Sequence, residues 1–185
     1  MRKYIAPEGL EVAGVTAISY IDNIASDSYQ PLIKQHGLAD LEEEKWYLLQ
    51  PFFDFFNEIV EIQGSTQPFV AMGMKIADHS IFPPEMIGKE VSMVQMIEGW
   101  QDHYAVNHRG AELIPVKHKK ISDRHYQLIL DKDHHYPFDL VYGLAFGFCR
   151  RLLPEGTDFE VFYDETHSPY NEDYGDEVIL NISWS

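Results

Sequence analysis

Cysteine is almost absent from this chain: its 185 residues include one, Cys149. A lone thiol cannot close an internal disulfide, so a disulfide-stapled secreted scaffold is excluded and a reducing, cytoplasmic setting is expected. Basic residues are scarce as well. Lysine and arginine number 14 against 30 acidic residues, a formal charge of −16. That sign repels a phosphate backbone and an anionic bilayer surface, so nucleic-acid binding is not expected. No long apolar run occurs. Val12 to Ile21 is uncharged, but Glu8 and Glu11 interrupt the approach to it, and it is far shorter than the roughly 20 residues that span a bilayer. Neither a signal peptide nor membrane insertion is expected. The motifs of catalysis are missing too: no Gly-rich phosphate loop after a strand, no nucleophile elbow, no His-Glu-x-x-His pair. No catalytic residue is assigned.

What is present is apolar bulk, 45% hydrophobic and 14% aromatic, enough for one core and a single domain over residues 1–185. Its organising stretch is Pro137 to Trp184. Val141, Leu144, Ala145, Phe148 and Leu152 recur at the spacing of a core-facing helix. Gly143 and Gly147 sit one turn apart in it, each costing about 1 kcal/mol of helix propensity, which points to a place where another backbone or a ligand comes close. Pro154 and Gly156 stop the helix. Phe159, Val161 and Tyr163 then alternate with acidic residues, and Val178, Leu180, Ile182 and Trp184 alternate in a second strand, giving a hairpin.

In chain order, Pro7 to Asn23 reads as a first helix, and Ser26-Asp27 can cap a second that ends at His36-Gly37. A third runs from Glu42 to about Gln63 with the stripe Trp46, Leu49, Phe52, Phe53, Phe56, Ile59 and Val60, bent or divided by Pro51. Pro68 to about His79 is a fourth. Lys89 to about Asn107 is a fifth, with Val91, Val94, Ile97 and Trp100 on one side. Leu113 to Lys119 and His125 to Leu130 alternate with period two around the turn Ile121-Ser122-Asp123-Arg124 and form another hairpin. Helices, hairpin, long helix, hairpin is the order of an α+β domain, with helices packed on a four-stranded, mainly antiparallel sheet.

Several stretches carry a family resemblance: Trp100-Gln101-Asp102-His103-Tyr104 with Asn107-His108-Arg109-Gly110, then Tyr142-Gly143-Leu144-Ala145-Phe146-Gly147, then Glu165, Gly175-Asp176 and Ile182-Ser183-Trp184. From Trp100 through Trp184 the chain resembles the C-terminal half of a ligand-binding superfamily. Its members include heme-nitric-oxide/oxygen-binding (H-NOX) domains, 4-vinyl-reductase-type sensor domains and the transport-particle (TRAPP) subunits of vesicle tethering. The resemblance implies a non-enzymatic regulatory domain with a pocket between helices and sheet that holds heme or an apolar small molecule, or is filled. Heme-binding relatives carry Tyr-x-Ser-x-Arg before the long helix, whereas Leu130-Asp131-Lys132-Asp133-His134-His135-Tyr136 stands here and lacks that propionate clamp. Zinc-binding vinyl-reductase-type domains use cysteines near the last hairpin, and this chain has none there.

His103 falls near the position of the proximal ligand in the heme-binding relatives, and one neutral imidazole suffices to hold a heme iron, so it is the metal candidate. Its plainer reading is a helix-end histidine beside Asp102. His108 reads as a basic residue closing a helix, and His134-His135 as solvated loop imidazoles. The acidic run from Asp164 to Glu177 reads as a solvated hairpin end that matches no EF-hand spacing. Phe53, Phe56, Phe69, Met72, Trp100, Tyr142 and Phe146 are the candidates for lining an apolar ligand pocket, although such stripes usually form core. Three functions follow: a cytoplasmic small-molecule sensor, a heme-based gas sensor on His103, or an interaction module with a filled pocket. A separate output protein is the expected partner of a sensor. Tyr142 and Phe146 lie off the core-facing stripe of the long helix and need an apolar cover, either the N-terminal helices or a second copy in a homodimer.

Overall fold

Proline and glycine set the boundaries that hydrophobic spacing leaves open. The computed structural model describes residues 2–22, 28–80, 82 and 84–185; the Ser26-Asp27 cap falls outside them. Where one helix is expected from Pro7 to Asn23, the chain first makes a turn at Gly9 (φ 77°). It then forms strand β1 (Glu11–Ala13) and only afterwards helix α1 (Gly14–Asp22). Helix α2 is Gln30–Gln35. The expected Glu42–Gln63 helix likewise opens as a strand, β2 (Trp46–Leu48), followed by α3 (Gln50–Gln63). Pro51 does not bend α3; it sits in the first turn, where its missing N–H has no partner to lose.

Helix α4 (Pro68–His79) has the expected span. Lys89–Asn107 divides at Gly99 into α5 (Glu90–Glu98) and α6 (Trp100–Val106). Its buried face is Met93, Met96, Ile97 and Trp100, while Val91 is 58% exposed, so the i, i+3, i+4 stripe runs through the methionines and not through Val91. Next come β3 (His108–Arg109), β4 (Lys117–Ser122), β5 (His125–Asp131), α7 (Phe138–Leu152), β6 (Phe159–Tyr163) and β7 (Glu177–Trp184). The first strand of this hairpin starts later than Leu113, because the Val116 N–H is taken by the Gln101 side chain at 2.9 Å.

Two sheets result. A small one has the order β2-β1-β3, with Val12 opposite both Tyr47 and His108. The larger, β4-β5-β7-β6, is antiparallel throughout, with Leu128 opposite Leu180 and Tyr126 opposite Ile182. Helix α7 connects its two hairpins and lies against it, burying Leu128, Leu180, Ile182, Phe148 and Leu152. The α+β class and the four-stranded sheet agree with the sequence reading.

A second core holds the aromatic helices. Phe52, Phe53, Phe55, Phe56 and Phe69 have no exposed surface, and each such side chain contributes about 1.5–3 kcal/mol by leaving water. Between the two cores runs the seam of α4 and α7. A Cβ on Gly73 would lie 2.1 Å from the Leu140 carbonyl, and one on Gly143 would lie 2.1 Å from the Val70 carbonyl. One on Gly147 would lie 2.5 Å from the Ala77 Cβ. The close approach expected at Gly143 and Gly147 is therefore that of α4, and Gly73 supplies its other half. At the N-terminus of α7, buried Asp139 accepts from the hydroxyls of Thr66, Tyr163 (3.0 Å) and Tyr170 (2.6 Å). Three separate segments are thereby tied to that end of the helix.

Candidate functional site

Beside this seam the packing opens. Helices α1, α4, α5, α6 and α7, with the His134–Tyr136 loop, border a half-open cavity of about 400 Å³, within the range of small-molecule sites. Its apolar wall includes Ile76, Met96, Trp100, Val141, Leu144 and Phe148. Its polar wall consists of hydroxyls and imidazoles: Tyr20, Tyr104, Tyr136, His103, His108 and His134 among them, with His79 at an exposed position. Among the described residues neither lysine nor arginine lines it.

Three of these side chains form a buried relay whose proton order follows from chemistry. His108 Nδ1 lies 2.7 Å from the Tyr104 carbonyl, so it carries the hydrogen and donates. Burial pushes the imidazole pKa down to about 4, so the ring is neutral and its bare Nε2 accepts from the Tyr136 hydroxyl at 2.5 Å. With that hydrogen spent, the Tyr20 hydroxyl donates to the Tyr136 oxygen at 2.9 Å. Burial raises the pKa of both tyrosines.

Two other wall groups have no partner. The Tyr104 hydroxyl and His134 Nδ1 are buried and make no hydrogen bond among the described residues. Their rings stand 5.6 Å apart at 73°. His134 is 2% exposed, and burial, helped by His135 and Arg2, lowers its pKa to about 3. An unpartnered buried polar group costs about 1–3 kcal/mol, whereas the unpartnered His103 ring in the same wall is exposed and can bond water. The position of His134 is held from outside, since the Arg2 guanidinium donates to the backbone carbonyls of Lys132 (2.7 Å) and His134.

The candidates from sequence divide. Trp100 and His103 are in the cavity wall. Phe53, Phe56, Phe69 and Met72 are in the aromatic core, with no exposed surface, and take no part in the wall. Tyr142 and Phe146 face strand β6 instead, with ring centroids 5.5 Å from Tyr163 and 5.0 Å from Phe159 respectively. That strand of the same chain covers the helix face for which a second copy was invoked. His103 is exposed, and no hydrogen bond to its ring is found among the described residues. The histidines read as solvated are the larger surprise, for His108, His134 and His135 are all buried. Their signal was faint: His134 and His135 stand beside each other and Tyr136, while His108 has only Asn107 and Arg109 as neighbours and no local hint of burial. Among the described residues no three His, Cys, Asp or Glu side chains converge on a metal position. No helix among those residues is long and apolar enough to cross a membrane.

The fold defined by these elements is that of H-NOX domains. An H-NOX protein from S. oneidensis in the Fe(II)NO ligation state superposes with a TM-score of 0.67 at 15% identity, covering 94% of this chain and 99% of that one. A single-site variant of the T. Tengcongensis H-NOX gives 0.63 at 14% identity, covering 93% and 94%. A structure concerned with heme redox potential and porphyrin distortion gives 0.63 at 13%, covering 93% and 92%. The likeness therefore spans nearly the whole chain and is not confined to its C-terminal half as the sequence suggests. No protein-family model matches, and no curated protein matches.

Heme is the group that such neighbours raise, and the wall suits one part of it. His103 offers an unengaged imidazole to an iron, which is sufficient axial ligation. The carboxylates of a heme fare worse, because the wall holds no cation. The stretch that replaces Tyr-x-Ser-x-Arg brings His134 and Tyr136 into the wall, a neutral imidazole and a phenol in place of a guanidinium.

Proposed function

We propose that this chain is a non-catalytic, ligand-binding sensor domain that takes its ligand into the cavity between the helices and the sheet. The observation that carries the reading is the cavity itself: about 400 Å³ beside a seam packed to backbone contact. Occupancy is transmitted to a separate output protein or to a second copy of the chain. Native mass spectrometry of protein purified from cells tests the reading: a retained mass supports it. A protein that carries nothing and whose melting point responds to none of a panel of heme and ring-sized compounds overturns it.

The heme form of this reading, a gas sensor with His103 as the axial ligand, has specific support. The superposed structures include an Fe(II)NO form, and His103 projects its free imidazole from α6 at the cavity wall. Heme there would supply an iron site for a diatomic gas. A stoichiometric Soret band that disappears in His103→Ala supports this form. Protein that stays colourless when supplied with heme removes it and leaves the wider sensor reading in place. The uncharged small-molecule form is favoured by a different observation, the absence of lysine and arginine from the wall.

A further inference from the structure

The four-stranded sheet has two edges of opposite charge. In an acidic chain, Lys117, Lys119, Lys120 and Arg124 gather on β4 and the turn after it, and every residue of β4 is exposed. The other edge strand, β6, carries Glu160, with Asp158 before the strand and Asp164 after it. Lys117, Lys120 and Arg124 have carboxylate partners in Glu177 (3.5 Å), Asp123 (2.7 Å) and Glu90 (2.8 Å). Lys119 and Glu160 have none among the described residues. Both are exposed, on the sheet face away from α7: Lys119 lies opposite Gln127 and Glu160 opposite Ser183, out of step with the buried pair Leu128 and Leu180. The backbone of these edges is open too. Ladder bonds alternate along an antiparallel pair, and the Trp184 N–H donates to the Arg124 carbonyl at 3.1 Å. Tyr126 and Leu128 therefore bond toward β7, Gln127 and Ile129 toward Lys119 and Lys117 of β4, and His118 and Lys120 direct their N–H and carbonyl groups outward. On β6 the Ser185 N–H donates to the Asp158 carbonyl (3.0 Å) and the Asp164 N–H to the Ile179 carbonyl (2.9 Å), which leaves Phe159 and Val161 facing outward. No other backbone group among the described residues reaches these four.

We infer that β4 of one copy of this chain docks antiparallel on β6 of a second copy, so that the sheet is extended head to tail. The register follows from the outward groups. Pairing His118 with Val161 and Lys120 with Phe159 gives each outward group a partner, and it sets Lys119 opposite Glu160 in the closely spaced position between hydrogen-bonded pairs. Opposite charges directly across a sheet stabilise it, and like charges oppose it. Lys117 falls opposite Phe162, which is 42% exposed, and its alkyl stem can cover that ring. Strand direction agrees as well: all neighbours in the sheet are antiparallel, so a β4 laid antiparallel on β6 continues the alternation with the same face toward the helices. Lysine on an edge ordinarily guards against edge-to-edge association. Here it guards against the two-fold arrangement, because β4 against β4 sets lysine on lysine, but β6 has the opposite sign and escapes the guard. The formal charge of −16 opposes the approach of two copies, which makes the contact weak and dependent on concentration. A head-to-tail contact leaves one edge free at each end, so the assembly grows past the dimer. The contact lies outside the cavity wall and does not depend on what the cavity holds.

Sedimentation velocity on the full chain reads the contact, at physiological salt, where charges are screened over about 8 Å, and across a concentration series reaching about 1 mM, the weak end of the affinity scale. The expected result is a mean mass that rises with concentration and passes that of a dimer. His118→Pro removes an outward N–H without taking a ladder bond, a change that edge strands accept, and should leave a monomer whose circular dichroism matches the parent. Lys119→Glu and Glu160→Lys should each weaken the association about tenfold, the effect of turning an opposed pair into a like-charged one. Their equimolar mixture should associate as the parent does, because both junctions in the mixture again set lysine opposite glutamate. Recovery on mixing separates a lost contact from a lost fold. A parent that stays monomeric throughout the series would overturn the contact and leave the basic edge to an acidic strand of another protein. A parent that stops at a dimer, and keeps it in all three variants, would overturn it in favour of a two-fold contact elsewhere. Charge variants that associate like the parent, or that fail to restore each other, would overturn the pairing of these two edges.

Discussion

Helix α7 shows two kinds of contact on adjacent stripes. Along Gly143 and Gly147 it meets α4 so closely that no side chain fits between them. Along Leu140, Val141, Leu144 and Phe148 it borders about 400 Å³ of open space. Loose packing throughout would leave gaps at the seam as well, and a fold unable to support a cavity would have collapsed α7 onto α1. The contrast teaches that the seam holds the cavity open. Two helices fixed at backbone contact cannot rotate toward the vacant side, because interiors pack densely and resist small displacements.

The largest effect should come from breaking the seam. In Gly143→Ala two terms oppose each other. Helix propensity favours alanine by about 1 kcal/mol. The added Cβ, however, would sit 2.1 Å from the Val70 carbonyl, with Val70 backbone atoms as its three nearest neighbours, and a backbone cannot swing aside as a flexible side chain can. Overpacking of this kind costs about 1–3 kcal/mol and sometimes more, and the clash should win. A net loss of about 1–2 kcal/mol, roughly 2–8 °C in a chain of this size, is expected in a thermal melt; Gly147→Leu should lose more. A melting point that rises would mean propensity outweighs contact and the seam is slack.

A smaller effect separates the cavity wall from the seam by pH. His108 and His134 have folded pKa values lowered to about 4 and about 3 against about 6.5 in the unfolded chain. Between those values the unfolded state binds more protons, so their contribution is fully present above about pH 6.5 and is lost as pH falls toward about 4 and then about 3. The window from about pH 6.5 to about 5 lies above ordinary carboxylate titration and isolates the histidines. Melting points should fall through it, and the slope should shrink without vanishing in His108→Phe, since burial also lowers the pKa of His134 and His135. An unchanged slope would place the wall histidines in solvent. Within the relay, Tyr136→Phe leaves His108 Nε2 without a donor and the Tyr20 hydroxyl without an acceptor, for a loss of about 1–3 kcal/mol measured by urea denaturation.

The seam was legible in the sequence and the cavity was not, for physical reasons that differ. Two glycines one turn apart in a strongly amphipathic helix violate propensity, and only a close approach repays that, so Gly143 and Gly147 announce themselves locally. So do Pro68 and the spacing of Phe69, Met72 and Ile76, which fix α4. The relay joins Tyr20, His108 and Tyr136 across 116 residues of sequence, and nothing local marks its members as partners. Strands β1, β2 and β3 hold three, three and two residues, too few for a period of two to register. By spacing alone they merge with the helices that follow them, or with a helix end at His108. His134 and His135 look solvated because they follow a charged turn; what packs against them, Tyr104 of α6, the Ile114 backbone and the N-terminal Arg2, lies far off in the chain.

The smallest effect sharpens the comparison most, because it adds volume to the same helix one residue from the seam. Leu144 is in the cavity wall, so Leu144→Phe places its extra atoms in existing space and asks no neighbour to move. Small-to-large substitution in a dense core is destabilising, but filling a cavity recovers contacts that the gap forfeits. The expected change in stability is within about 1 kcal/mol of zero and positive if the cavity is dry. Gly143→Ala, adding a single methyl one position earlier, should cost more than Leu144→Phe, which adds most of a ring. The same Leu144→Phe variant should weaken the binding of ring-sized apolar probes such as p-xylene, since it takes the room for the ligand body. If Leu144→Phe instead loses as much stability as Gly143→Ala, the space beside α7 is not available to a ligand of that size, and the distinction between seam and cavity fails.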